Sequence, residues 1–188
     1  MNEIKTLFEL LEMFKTPSFD KIPEIELYMD QVLTYIKKQL PPVRPQDKEN
    51  LTGSMINNYV KDNVIKNPKD KKYDKESIAA LIMVANLKRV LPISDIKQIF
   101  FQKTDGIQPL YSIYQKQLET VIKEIETDGP WVKQKADLDL TEIALSLAVD
   151  ASIKSYIAHM LISSSFSEPV KEKKKKQDKE SKDKSAQN

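Results

Sequence analysis

The chain has 188 residues, of which 40% are hydrophobic and 31% are charged, and its formal net charge is +2. This composition is typical of a core-forming protein with one domain, or with one small domain and an appendage. Because the chain contains no Cys, disulfides, thiolate nucleophiles and Cys-based zinc sites are excluded. With only three Gly and abundant Leu, Ile, Lys, Glu and Gln, the sequence predicts a mainly all-α fold.

The N-terminus, MNEIKTLFELLEMF, carries acidic residues and lacks the basic region and cleavage site of a signal peptide. The longest apolar segment, near residues 140–166, is interrupted by Glu142, Asp150 and Lys154. We therefore expect a cytoplasmic protein without a membrane partner.

Helical spacing of Ile4, Leu7, Phe8, Leu11 and Phe14 predicts an N-terminal helix. The next helix is predicted to start within residues 20–23, which include Pro23 in the first turn, and to end before residues 41–42. Residues 41–50 form a polar, Pro-rich loop in this interpretation.

Residues 53–62 are predicted to form a short helix with Thr52 as its N-cap and Asn63 in the left-handed conformation at its end. Its polar face is predicted to be exposed, with these members: Ser54, Asn57, Asn58 and Lys61. Asn reads adenine edges in the DNA major groove, and Ser and Lys contact phosphates. The alternative is an ordinary solvated surface.

A lysine-rich turn follows, with Pro68 and Asp70 at its centre. Four ammonium groups are predicted to project from a short β-hairpin wing and to neutralise phosphates: Lys66, Lys69, Lys71 and Lys72. Residues 61–89 carry eight basic and four acidic side chains, as do residues 171–188, so each stretch has a net charge of +4. Basic patches on a near-neutral body are typical of nucleic-acid binders, although a solvated face is again the alternative.

Asp74 is predicted to cap a central core helix over 75–90, because residues 78–84 are apolar nearly all round. A short helix near 94–101, a linker over 102–109, a helix over 110–127 and a long final helix to about Ser164 are predicted to follow. That final helix is so apolar that it must be buried within the bundle or in a dimer interface. The polar tail beyond it is predicted to be disordered.

The ordered pieces between Thr52 and Phe101 resemble the DNA-binding half of MerR-type regulators. The matching pieces are Tyr59, Asn63-Val64-Ile65, Pro68, Lys71-Lys72-Tyr73, Asp74-Lys75-Glu76 and Ile93-Ser94-Asp95-Ile96. This resemblance implies a winged helix-turn-helix that binds double-stranded DNA. The whole chain also resembles the YkrK-like uncharacterised family of Gram-positive bacteria, through the segments IPEIELYMDQV, MINNYVK and KKYDKESIAALI.

Catalytic chemistry is not indicated. The phosphate-loop, dinucleotide-binding, nucleophile-elbow and zinc-protease motifs do not occur, and the single histidine, His159, lies on the apolar final helix. We therefore expect no enzyme activity, no cofactor and no metal site.

These observations divide the chain into four parts. We expect an N-terminal helix at 1–19, a MerR-like winged helix-turn-helix domain at 20–101, a C-terminal helical region for dimerisation or effector binding at 102–166, and a disordered basic tail at 167–188. The leading functional hypothesis is a DNA-binding transcription regulator that forms a homodimer through its C-terminal helices. The alternative is a helical protein-interaction module without DNA binding.

Overall fold

The computed structural model describes residues 9, 11–12, 14–40, 51–102, 106–129 and 140–165. These residues form six α-helices and one two-stranded antiparallel sheet. The predicted mainly α-helical fold is therefore confirmed. Of the predicted N-terminal helix, Glu9, Leu11 and Glu12 are helical. Its residues 1–8, 10 and 13, the predicted loop at 41–50 and the predicted tail at 167–188 lie outside the described residues.

The elements begin with a 3-10 helix at Phe19–Lys21. Strand β1 at Leu27–Tyr28, α1 at Met29–Gln39 and α2 at Gly53–Lys61 follow. Strand β2 spans Lys72–Tyr73 and leads into α3 at Lys75–Leu87. The remaining helices are α4 at Ile93–Gln102, α5 at Ile107–Asp128 and α6 at Leu140–Ser165.

Helix α3 is the centre of the core. Every residue from Ser77 to Ala85 is buried, and α1, α4 and α5 pack around the helix. A helix that is apolar on all sides is stable in water only when other elements surround it. Its N-terminus is fixed by Asp74, whose Oδ1 accepts a hydrogen bond of 2.9 Å from the Ser77 backbone N–H. The predicted central helix and its cap are both confirmed, although the helix ends at Leu87 rather than at residue 90.

The start of the second predicted helix is wrong. Residues 27–28 are extended, and helix α1 begins only at Met29. In the sheet Leu27 pairs with Tyr73, and Tyr28 pairs with Lys72. Leu27 and Tyr73 share one buried face of this sheet, so pairing satisfies the backbone while covering the core.

The predicted hairpin wing is corrected in the same way. Its strand, β2, pairs with β1 from far earlier in the chain rather than with a neighbouring strand. The local part of the hairpin is a single antiparallel bridge between Lys69 and Lys72.

Helix α5 holds the N-terminal segment against the core. The fully buried Tyr111 donates its hydroxyl hydrogen bond to the Pro17 carbonyl at 2.9 Å, and Gln115 Nε2 donates to the same oxygen at 2.8 Å. The Phe19 ring meets the Tyr111 ring edge-on, with centroids 6.1 Å apart. Since α4 ends at Gln102 and α5 begins at Ile107, the predicted linker at 102–109 is too long by four residues.

Helix α6 departs most from expectation. Among its described side chains Ile162 is buried, and nine large hydrophobic side chains between Leu140 and Leu161 are exposed. The expected burial within the bundle is therefore wrong for most of the helix, because α6 contacts the body mainly through α4. By length and composition α6 also meets the criteria for a membrane-spanning helix, which helices of soluble proteins can meet as well.

Candidate nucleic-acid interface

Helix α2 has one buried face and one polar exposed face. Thr52 Oγ1 accepts a hydrogen bond of 3.2 Å from the Met55 backbone N–H, so the predicted N-cap is confirmed. Ile56 and Tyr59 face the core. All four predicted DNA-contacting side chains of this helix are exposed: Ser54, Asn57, Asn58 and Lys61. Their i, i+3, i+4, i+7 spacing places them on one side of the helix.

The chain turns back tightly after α2. Asn63 has a φ of +55°, which confirms the predicted left-handed residue. The Tyr59 carbonyl then accepts backbone hydrogen bonds from Val64 at 2.8 Å and Ile65 at 3.2 Å. Because Val64 and Ile65 are both buried, the start of the lysine-rich segment is anchored to the end of α2.

A tight turn over Lys69–Lys72 forms the tip of the lysine-rich segment. The Lys72 N–H donates to the Lys69 carbonyl at 2.8 Å. The two central residues have positive φ angles, +50° at Asp70 and +63° at Lys71. This pair of angles is the signature of a type I′ turn, whose twist matches antiparallel strands.

Two of the four predicted wing lysines have intramolecular partners. The Lys66 ammonium lies 3.0 Å from Asp74 Oδ2, and this hydrogen bond raises the pKa of Lys66. The half-buried Lys72 lies 5.1 Å from the centroid of the Tyr28 ring. Such a contact contributes about 0.5–1 kcal/mol at an exposed site.

Lys69 and Lys71 differ from those two. Both are exposed, and within the described part of the chain neither ammonium group has an ion-pair partner. Lys69 is the first residue of the turn and Lys71 is one of its two central residues, and they are therefore the two wing cations best placed to meet a phosphate.

Sequence reasoning missed two side chains at this surface. Tyr28 is 48% exposed and lies beside Lys72, but the sequence placed it on a helix. Lys75 forms an ion pair with Glu24 and stacks 4.9 Å from the centroid of Phe19. The contact between Tyr28 and Lys72 depends on β1 lying next to β2, and a two-residue strand leaves no periodic pattern to find.

No cluster of three or more potential metal ligands occurs among the residues that the structure describes. The single histidine lies at a helix contact instead, with its Nδ1 2.6 Å from Asp95 Oδ2. This pair joins α6 to α4, and a hydrogen bond of 2.7 Å from the Ser155 hydroxyl to the Val90 carbonyl joins α6 to the turn before α4.

Residues 17–128, which are 112 of the 188 residues, match the family model of Domain of unknown function (DUF1836). The chain belongs to this family. No curated protein and no solved structure matches the chain. The expectation of an uncharacterised family is thus confirmed, whereas the YkrK-like identity stays a prediction.

The DUF1836 match coincides with structural features at both ends. It begins at Pro17, whose carbonyl receives the hydrogen bonds from Tyr111 and Gln115, and it ends at Asp128, the last residue of α5. All eight predicted DNA-contacting residues lie inside the match, and α6 lies beyond it. The DUF1836 region therefore contains the candidate interface together with the core that positions it.

Proposed function

We propose that the protein is a cytoplasmic DNA-binding transcription regulator of MerR-like architecture, in which α2 enters the major groove. The observation that carries this proposal is the exposed face of α2, which presents Ser54, Asn57, Asn58 and Lys61 together. An α-helix with its side chains is about 10–12 Å in diameter, which suits a major groove about 12 Å wide. Asn57 and Asn58 supply the amides that pair with adenine edges, and Lys61 supplies a phosphate contact.

The turn at Lys69–Lys72 contributes affinity rather than sequence discrimination. Lys69, the first residue of the turn, and Lys71, one of its two central residues, neutralise backbone phosphates. Each phosphate contact releases condensed counterions. It therefore makes the slope of log binding constant against log salt concentration steeper by about 0.9. Lys66 and Lys72, which are held by Asp74 and Tyr28, contribute less.

Binding to genomic duplex fragments, measured by mobility shift over a range of salt concentrations, tests the wing. Lys69→Ala with Lys71→Ala should weaken binding and reduce the salt slope by about 2. A matched control is Lys116→Ala with Lys123→Ala, which removes the same charge from two exposed positions on α5. Absence of binding at low salt, or equal losses in both double variants, contradicts the proposal.

A second experiment tests the exposed polar face of α2. Fragments selected for tight binding should lose their advantage over random duplex in Asn57→Ala with Asn58→Ala, since base contacts carry the discrimination. Binding to random duplex should stay within a few-fold of the parent, because the lysines remain. Unchanged selectivity would remove α2 from the role of recognition helix.

A helical protein-interaction module without DNA binding is the second candidate. Its support is α6, which exposes nine large hydrophobic side chains. Monomeric proteins rarely expose large contiguous apolar surfaces, and such surfaces mark interaction sites. Recovery of one stoichiometric protein partner, without nucleic acid and dependent on α6, would favour this function.

A further inference from the structure

The single histidine of the chain is oriented by a buried carboxylate. His159 Nδ1 lies 2.6 Å from Asp95 Oδ2, and the His159 side chain is 47% exposed whereas the Asp95 side chain is 6% exposed. Because a carboxylate only accepts hydrogen bonds, the proton of the neutral imidazole lies on Nδ1. The lone pair then lies on Nε2, which has no hydrogen-bond partner within the described part of the chain.

We propose that His159 is a phosphoryl acceptor, whose Nε2 is phosphorylated by a small molecule with an activated phosphoryl group. Histidine is among the side chains that form covalent intermediates, and such nucleophiles are typically oriented by a chain of hydrogen bonds. A carboxylate at one ring nitrogen also makes the other nitrogen more basic. This modification does not depend on DNA binding by α2.

The Asp95 carboxylate favours the reaction because the ring gains charge. The Nε2 lone pair attacks phosphorus, an N–P bond forms, and the bond between phosphorus and the leaving group breaks. With phosphoramidate as the donor, ammonia departs with the protons that its nitrogen already carries. His159 keeps its Nδ1 proton, so the phosphorylated ring is an imidazolium beside the Asp95 carboxylate. A buried aspartate stabilises an imidazolium in the same way in the Ser-His-Asp triad.

The surroundings of His159 leave room for a phosphoryl group with its negative charges. Apart from His159 itself, residues 155–163 of α6 contain no ionisable side chain other than the Tyr156 phenol. On α4, Asp95 is the single acidic residue, and it meets the ring at Nδ1 rather than at Nε2. An incoming phosphoryl group at Nε2 therefore meets no second carboxylate from α4 or from this part of α6, where like charges would repel it.

Treatment of the full chain with phosphoramidate at fixed pH, without a histidine tag, tests the proposal. Phosphohistidine is followed by phosphorus NMR and located by mass spectrometry. The matched control is Ser152→His with His159→Gln, which moves the single histidine to an exposed position two turns earlier on α6, with no charged residue three or four positions away. The parent should react roughly tenfold faster than this control. Equal rates, or a parent without phosphohistidine, overturn the proposal.

Asp95→Asn tests the role of the carboxylate, since it keeps the size of the side chain and removes its charge. Phosphorylation of His159 should slow roughly tenfold, with folding checked by circular dichroism. In urea that unfolds the chain, the parent, the matched control and Asp95→Asn should all react at equal rates, because the contact is lost. A rate difference that persists in urea, or a folded Asp95→Asn chain that reacts like the parent, contradicts the role of Asp95. If Asp95→Asn does not fold, the comparison with the matched control decides.

Discussion

The Lys66 ammonium lies 3.0 Å from the same Asp74 carboxylate that caps helix α3. Oδ2 of this carboxylate accepts from Lys66, and Oδ1 accepts from the Ser77 backbone N–H. Because Asp74 directly follows β2, one side chain connects the lysine-rich segment to the buried helix at the centre of the fold. The position of the candidate DNA-binding surface thus depends on the start of α3.

Asp74→Ala should lower the free energy of unfolding by about 1 kcal/mol, because it removes the N-cap acceptor. Urea denaturation measures this change. Asp62→Ala is the control, since Asp62 is exposed at the C-terminal end of α2, where an acidic side chain is unfavourable to the helix dipole. Equal destabilisation by both variants would show that the cap contributes nothing specific.

The Asp74 contribution should also depend on pH. Burial raises the pKa of the Asp74 carboxyl, but hydrogen bonds from Ser77 and Lys66 outweigh burial and lower its pKa below the ordinary 3.8. A lowered folded-state pKa gives stability that is present above the unfolded-state value and is lost as the pH falls through the folded-state value. The stability difference between the parent and Asp74→Asn should therefore be constant at neutral pH and shrink under strong acid. A constant difference throughout the acid range would contradict the assigned shift.

Lys71→Gly should separate stability from DNA binding. Lys71 has a φ of +63°, a conformation that glycine adopts without steric cost, so the free energy of unfolding should rise by about 1 kcal/mol. The same change removes a proposed phosphate contact, so duplex binding should weaken. Lys69→Gly is the matched control, because it removes the same charge at a position without positive φ. It should weaken duplex binding and also lower the free energy of unfolding. Loss of stability in Lys71→Gly would show that the turn is not strained at this residue.

The helix caps were predictable from the sequence because each is decided within a few residues. Thr52 and Asp74 precede helices whose first free N–H groups they reach, and Asn63 follows the end of one. Asn tolerates the left-handed conformation better than most residues, so its place after an amphipathic run identified the helix end. The exposed polar face of α2 followed from the same local periodicity.

The sheet and the exposure of α6 were not predictable in this way. Leu27 and Tyr28 fit a helical pattern locally, and only their pairing with Tyr73 and Lys72 makes them extended. Such pairing joins residues far apart in sequence, which a local pattern cannot encode. For α6, the sequence shows apolar residues on most sides of the helix, but it does not show whether the rest of the chain covers them. The inference that the bundle buries this helix was therefore wrong.

Tyr114 should contribute to stability in alkaline solution. Burial raises the pKa of its hydroxyl to about 12, against a hydrogen bond from Asn86 that acts in the opposite direction. A raised folded-state pKa means that the contribution is fully present below the ordinary value of 10.0 and is lost as the pH rises through the folded-state value. The stability advantage of the parent over Tyr114→Phe should therefore decline between about pH 10 and 12. Comparing the two proteins cancels the titration of the lysines, and an advantage that does not vary with pH would refute the prediction.

The contact between His159 and Asp95 should control how firmly α6 is held on α4. His159 Nδ1 lies 2.6 Å from Asp95 Oδ2, and the Asp95 side chain is only 6% exposed. Within the described residues, His159→Leu leaves this carboxylate with the Ser94 hydroxyl at 3.3 Å, and an underpaired buried polar group costs about 1–3 kcal/mol. Amide hydrogen exchange over residues 155–162 should accelerate roughly tenfold or more, given that 1.4 kcal/mol corresponds to a factor of ten.

Two further variants separate this contact from general damage to α6. Asp95→Asn with His159→Leu should restore part of the protection, because a neutral amide is less costly to leave unpaired than a carboxylate. Lys154→Ala breaks only an exposed i, i+4 pair and should leave exchange nearly unchanged. If His159→Leu and Lys154→Ala exchange alike, the His159–Asp95 pair does not hold α6, and apolar contacts around Ile162 provide the attachment instead.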